Sequence, residues 1–202
     1  PTPEPTPTLE PTPDLRNVEQ LFNEIQQNLV EQNWGQAIFD IEKLRDLKLD
    51  YRAVDVDGMY YIALRFFGVE NILSLGQLEV GIYYLTLSER FAPLDIEAVN
   101  YRNWARQYIA AASFWGVDWA RVVDYFAQIY PALPNLHDAS GMTATERFRI
   151  ASIKYGDFLM LKEQYCDAQI QYQNALNLYN DPAVQPTAMA AADWCANPPG
   201  QE

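Results

Sequence analysis

The strongest constraint on the fold is a helical spacing of apolar residues that begins near Leu15 and continues almost to the end of the chain. Apolar side chains recur at steps of three and four residues, for example at Leu21, Ile25 and Leu29, as in a helix with one buried face. Short breaks divide the pattern into segments, and the alternation typical of β-strands is almost absent. The spacing therefore predicts an all-α protein of about nine helices.

The predicted helices fall into four antiparallel pairs and one final helix without a partner. Apolar positions over 21–29 and 37–47 mark the first pair. The others span about 56–74 with 78–91, 96–114 with 119–130, and 145–161 with 165–179, and the last helix is 187–195. Thr143 and Glu146 have the spacing of a capping box at the start of the fourth pair. Pro93, Pro134 and Pro182 each follow a predicted helix end, where a residue that cannot continue a helix is common.

Charge and composition narrow the functional classes. The 202 residues include 27 acidic and 14 basic side chains, a formal net charge of −13, whereas nucleic-acid binding depends on clustered Lys and Arg. One His and two Cys supply little material for metal or nucleophile chemistry. No apolar run approaches the roughly 18 residues of a membrane span. Composition thus favours a binding or scaffolding module over an enzyme. We expect this module to have no cofactor, no metal site and no nucleic-acid partner.

The first 14 residues form a Pro/Thr tract, PTPEPTPTLEPTPD. Proline fixes φ and lacks a backbone donor, so we expect a disordered or extended linker here. Such tracts commonly separate a signal or membrane anchor from an exported bacterial domain. We therefore expect an upstream segment of that kind and a location outside the cytoplasm. The folded domain is predicted over 15–197, and a polar tail over 198–202.

The second helix of each pair carries a common motif. A large residue opens the helix, a small or β-branched residue follows three positions later, and a large apolar residue follows four after that. The four sets are Trp34/Ala37/Ile41, Leu78/Gly81/Leu85, Trp119/Val122/Phe126 and Tyr165/Ala168/Tyr172. The middle positions are 44, 41 and 46 residues apart, and Pro93 and Pro134 lie twelve residues after two of them.

This motif resembles the second helix of tetratricopeptide repeats, and the resemblance covers about residues 15–195. Tyr155-Gly156 is similar to the Leu-Gly step of the family's first helix. The period exceeds the roughly 34 residues typical of the family, so the connections must be longer. The resemblance implies a right-handed α-solenoid, a TPR-like superhelix of four hairpins and a capping helix, in which each hairpin covers the apolar face of its neighbour.

The repeat register also implies a binding groove on the inward face of the first helices. The members of this predicted strip are Phe66, Glu70, Trp104, Gln107, Phe114, Trp115 and Asp157, with Ala111 in the same register. Some family members grip a terminal carboxylate with Lys and Asn on this face, but Gln107, Ala111, Ile153 and Asp157 occupy those positions here. Ordinary packing of the same aromatic residues in the core is the alternative.

The same register places Cys166, at the start of a second helix, beside Cys195, at the end of the following helix. We expect a disulfide that holds the capping helix in place and that suits an oxidising compartment. Two unrelated thiols are the alternative. With one His elsewhere in the chain, the two cysteines give no support for a zinc site.

Two further motifs favour structure over chemistry. The segment 55–58 (DVDG) resembles a calcium loop, but positions 53 and 64 are Ala and Leu where an EF-hand needs Asp and Glu. We expect it to be an acidic helix N-terminus. His137, Asp138 and Ser140 are close neighbours in sequence, whereas the members of a catalytic triad come from distant segments. We expect them to lie in a solvated loop.

These observations predict a non-catalytic protein–protein interaction or scaffolding module, displayed outside the cytoplasm on the Pro/Thr spacer. It would bind a peptide or protein surface in a concave aromatic groove and meet a membrane only through the upstream anchor. One alternative is a structural spacer that self-assembles. Another is a helical hydrolase with carboxylate pairs such as Asp55 with Asp57 or Asp118 with Asp124.

Overall fold

The computed structural model describes residues 16–199. Within that range the chain forms nine α-helices and no β-strand. They are α1 (Arg16–Val30), α2 (Trp34–Leu47), α3 (Ala53–Leu73), α4 (Leu78–Ser88), α5 (Ile96–Ala112), α6 (Trp119–Ile129), α7 (Ala144–Leu161), α8 (Tyr165–Leu178) and α9 (Gln185–Ala196). The predicted sequence of four helix pairs and a final helix is confirmed. The predicted linker, 1–14, and the last three residues of the predicted tail lie outside the described residues.

The chain divides into two compact units within α3, one ending at Leu64 and the other beginning at Arg65. In the first unit α1 packs against α2, and the buried side chains include Ile25, Ile41 and Leu44. The predicted acidic helix N-terminus is confirmed, because Asp55 lies in the first turn of α3. The single domain predicted over 15–197 stays a prediction.

In the second unit, helices that are neighbours in sequence pack against each other from α4 through α9. This order is that of a helical-repeat solenoid, and it confirms the predicted fold class. The largest buried side chains of its core include Tyr108, Phe126 and Ile129. The right-handed superhelix and the tetratricopeptide relationship stay predictions.

Glycine allows α3 and α4 to approach closely. A Cβ atom added to Gly81 would lie 2.6 Å from the carbonyl oxygen of Gly68 and 2.5 Å from Cγ1 of Ile72. Both distances are well inside van der Waals contact, so a side chain at this position would push the helices apart. Gly81 is the position that the repeat motif assigns to a small residue.

Several helix ends differ from the prediction; α3, for example, begins at Ala53 and not at Val56. α4 ends at Ser88 and not at Phe91, and α9 begins two residues earlier than expected, at Gln185. α5 ends at Ala112, after which Ser113 Oγ donates to the carbonyl of Ala110 at 2.7 Å. The chain then turns through Gly116 at a φ of 78°, in the left-handed region that glycine adopts readily. Phe114 and Trp115 therefore lie in a turn and not on a first helix.

The loop before α7 is accessible to solvent in part, as expected, with Ala139 and Ser140 exposed, and it is also anchored to the rest of the second unit. The Arg147 side chain is 7% exposed, and its Nη2 donates to Asp138 Oδ2 at 2.7 Å and to Ser140 Oγ at 3.2 Å. Nε of Arg147 donates to the Tyr108 hydroxyl at 2.7 Å, and that hydroxyl donates to the carbonyl of Met142. A buried guanidinium thus joins the loop to α5.

The start of α7 agrees with the sequence prediction. Thr143 Oγ1 accepts a hydrogen bond from the backbone nitrogen of Glu146 at 3.2 Å, and Glu146 Oε2 accepts one from the backbone nitrogen of Thr143 at 2.8 Å. The pair is a complete capping box, which satisfies two backbone donors at the helix start.

Between residues 16 and 199, no helix has the length and apolar character needed to cross a membrane.

Candidate interaction surfaces

The predicted strip is exposed only in part. Phe66 and Glu70 lie one helical turn apart on the exposed side of α3, and Gln107 is exposed on α5. The Phe66 ring is 41% exposed and lies 4.6 Å from the guanidinium carbon of Arg65. These three side chains are therefore exposed on the surface of the second unit.

The other aromatic members of the strip are half-buried and contact neighbouring residues. Trp104 packs against the core of the second unit. Phe114 stacks on Tyr125, with ring centroids 6.0 Å apart. Trp115 contacts Trp119 edge-to-face at 5.1 Å, and the guanidinium carbon of Arg147 lies 4.9 Å from its ring centroid. The alternative interpretation, in which these aromatics pack within the fold, applies to part of the strip.

Asp157, the remaining member of the strip, accepts a hydrogen bond from the hydroxyl of Tyr172 at 2.7 Å. Burial of Tyr172, together with this carboxylate, raises the pKa of its hydroxyl well above the usual range.

Ala111 is fully buried, so its expected place on an open face is wrong. It belongs to the core of the second unit, where a side chain this small lets neighbouring helices pack closely. The strip as a partner-binding groove stays a prediction.

Helices α8 and α9, which pack against each other, carry two clefts that the sequence did not lead us to expect. Cys166, in the first turn of α8, and Cys195, near the end of α9, form a disulfide with their Cα atoms 4.7 Å apart. The two helices therefore run antiparallel, joined by the disulfide at one end and by the 179–184 loop at the other. The predicted pairing of these cysteines is present in the structure.

The first of these clefts, the seam cleft, lies between α8 and α9 and has a volume of about 290 Å³. Its main lining residues are Gln169, Gln173 and Leu176 from α8, and Gln185, Met189 and Ala192 from α9. Met189 is 68% exposed, so it stands at the edge of the cleft and not in the core. Leu176, by contrast, packs against the buried cluster beneath.

Glutamine carboxamides surround this apolar floor. Nε2 of Gln173 donates to Asn177 Oδ1 at 2.6 Å, and Nε2 of Gln185 donates to Asn180 Oδ1 at 2.6 Å. Each bond uses the amide nitrogen of the glutamine and holds its side chain in place. The carboxamide oxygen of the glutamine is left to accept from another donor. A carboxamide both donates and accepts, so it matches the two polar groups of a peptide unit.

The second cleft, the end cleft, lies beside the disulfide and has a volume of about 440 Å³. It is lined by Glu163, Tyr165 and Asp167 at the start of α8, and by Trp194, Cys195 and Pro198 at the end of α9. Tyr165 and Trp194 meet edge-to-face with their ring centroids 5.2 Å apart. Trp194 is 41% exposed.

Electrostatically, this end of the chain is uniformly acidic. Residues 163–199 contain four carboxylates, Glu163, Asp167, Asp181 and Asp193, and neither a Lys nor an Arg. Asp181 pairs with Arg149 of α7 at 3.3 Å. Among the described residues, the structure records no ion pair for the other three.

The carboxylates considered for hydrolytic chemistry mostly have structural partners. Asp55 pairs with Arg52 at 3.1 Å, and Asp57 pairs with Arg45. Asp118 accepts from the backbone nitrogen of Arg121, at the start of α6, and pairs with its side chain at 3.2 Å. Across residues 16–199, no group of three or more His, Cys, Asp or Glu side chains is arranged to hold a metal ion.

Comparisons with known proteins identify no relative of this chain. No family model matches the sequence, and neither the curated proteins nor the solved structures include a significant match.

Proposed function

We propose that this chain is a non-catalytic protein-interaction module, related to tetratricopeptide-repeat proteins, that works outside the cytoplasm on its Pro/Thr spacer. It binds an extended segment of a partner protein in the seam cleft between α8 and α9. The single observation that carries the proposal is this cleft, with its apolar floor, its rim of glutamines and its exposed methionine. The disulfide beside it is compatible with an oxidising compartment.

An extended peptide fits the seam cleft for two reasons. Alternate side chains of an extended segment point to one side, where Leu176, Ala188 and Met189 offer an apolar surface. The backbone of such a segment presents unpaired donors and acceptors, which the carboxamides of Gln169 and Gln185 match. Burying the exposed Met189 side chain against a partner supplies a favourable apolar contribution that the isolated chain lacks.

The matched substitutions Met189→Ser and Val80→Ser test this proposal. Peptides are selected from a random display library on the full chain, and the affinity of the tightest is measured by calorimetry. We expect Met189→Ser to weaken binding about tenfold, because a buried Met contributes about 1.5 kcal/mol. Val80 is 40% exposed on α4, away from the cleft, and Val80→Ser should change the affinity less than about twofold.

Two results would overturn the proposal. One is a library that yields no peptide, and the other is a selected peptide that binds both variants as tightly as the native chain. Sedimentation of the unliganded chain runs beside the selection, because a mass that grows with concentration would favour the self-assembling spacer instead.

A further inference from the structure

We infer that the end cleft receives a cationic side chain, so that the partner is a basic segment that places a Lys or Arg in this cleft, against the exposed surface of the Tyr165–Trp194 pair. The inference rests on the proposed function and names the chemistry of the partner. The end cleft combines two aromatic rings with two carboxylates, Glu163 and Asp167, in one opening of about 440 Å³.

The aromatic pair supplies the first part of the recognition. A cation within about 6 Å of a Trp or Tyr ring is attracted by the negative face of the π-system, and Trp is the strongest partner. Tyr165 and Trp194 meet edge-to-face, so their planes are steeply inclined to each other, at 69°. The two rings hold each other in place, and the 41% exposure of Trp194 leaves part of its ring open to solvent and to a partner.

The carboxylates supply the second part. Glu163 and Asp167 are both exposed and lie at the start of α8, on the wall of the same cleft. The basic residue nearest in sequence, Lys162, has its Nζ 5.6 Å from the ring centroid of Phe158. Because the structure records no ion pair for either carboxylate among the described residues, an incoming cation meets two acceptors.

Charge complementarity also decides between possible occupants. The Pro/Thr tract of this chain contains Glu4, Glu10 and Asp14 and no basic residue, so the acidic cleft repels it. In a two-fold symmetric dimer, a second copy would bring the same acidic helix pair against this one. A partner rich in Lys or Arg is instead attracted both by the local carboxylates and by the formal net charge of −13.

The test uses three fluorescent eight-residue peptides and fluorescence anisotropy with the full chain. Serine alternates with lysine in the first, with glutamine in the second and with glutamate in the third. We expect the lysine peptide to bind most tightly. Asp167→Asn should weaken its binding about fivefold, and Trp194→Leu, which keeps apolar area but removes the π-system, about threefold.

Glu79→Gln is the matched control, because it removes the same charge from an exposed position on α4. It should weaken binding of the lysine peptide less than about twofold. An equal loss from Glu79→Gln and Asp167→Asn would mean unspecific attraction and would overturn the inference. The inference also fails if a peptide of residues 1–14 binds more tightly than the lysine peptide.

The peptides also separate this inference from the function on which it rests. If the glutamine peptide binds as tightly as the lysine peptide, and Met189→Ser weakens both, the seam cleft is a peptide site but the end cleft selects no cation. If none of the three peptides binds and display selects none, the proposed function falls together with the inference.

Discussion

Replacing Arg147 by methionine is expected to lower the free energy of unfolding by about 3 kcal/mol. The guanidinium is nearly inaccessible to water, yet it carries a charge and makes hydrogen bonds to three side chains, those of Tyr108, Asp138 and Ser140. Methionine has a similar length, so the loss reflects mainly the charge and its hydrogen bonds. Breaking a buried ion pair by removing one partner typically costs about 3–5 kcal/mol, and the partial exposure of Asp138 places this case at the lower end.

Arg106→Met provides the control for this prediction. Arg106 is exposed on α5, and a surface charge of this kind contributes little to stability, so we expect a change below about 0.5 kcal/mol. Chemical denaturation of both variants, followed by circular dichroism, measures the difference. A loss below about 1 kcal/mol for Arg147→Met would contradict the anchoring role assigned to this side chain.

Removing the disulfide is expected to cost the second unit about 3 kcal/mol. Cys166 and Cys195 are 29 residues apart in sequence, and closing a loop of that size restricts the unfolded chain by roughly this amount. The loss of stability should concentrate in α9, the last helix of the described residues. Hydrogen exchange should therefore accelerate in residues 185–196 of a Cys166→Ser, Cys195→Ser variant, while the core of α5 keeps its protection.

Reductant supplies the control for the disulfide. The native chain with reductant should match the double variant, whereas reductant should leave the variant itself unchanged. Exchange in α9 that stays at its native rate in the double variant would show that packing alone holds this helix. Peptide binding in the seam cleft should weaken when α9 is destabilised, because α9 forms one wall of this cleft.

Much of the fold could be predicted from the sequence because helical periodicity is a local property. The spacing of apolar residues located the nine helices found between residues 16 and 199, and the repeat motif identified Gly81 as a position that must stay small. Helix ends were less accurate, since they depend on turns such as the one through Gly116. The cysteine pairing followed from antiparallel packing of neighbouring helices, which the repeat pattern implies.

The sites were harder to predict, because a periodic pattern shows which residues face inward but not what covers them. The periodic pattern gives no sign that Arg147 is buried, because the loop that carries Asp138 covers its side chain. Phe114 and Trp115 were assigned to an open helix face, but they lie in a turn against α6 and α7 residues. The seam cleft had a signal in the sequence, namely the glutamines of α8 and α9, and the end cleft had one in the lack of basic residues after Lys162.

The most direct test of the proposed function is a methyl NMR titration of the full chain, labelled with carbon-13 at its four methionines. A peptide selected by display is added, and the methyl signals of Met59, Met142, Met160 and Met189 are followed. If the segment binds between α8 and α9, the Met189 signal moves while the other three stay in place. If the Met189 signal stays in place and the Met160 signal moves, the segment binds elsewhere, and the seam cleft is not the partner site.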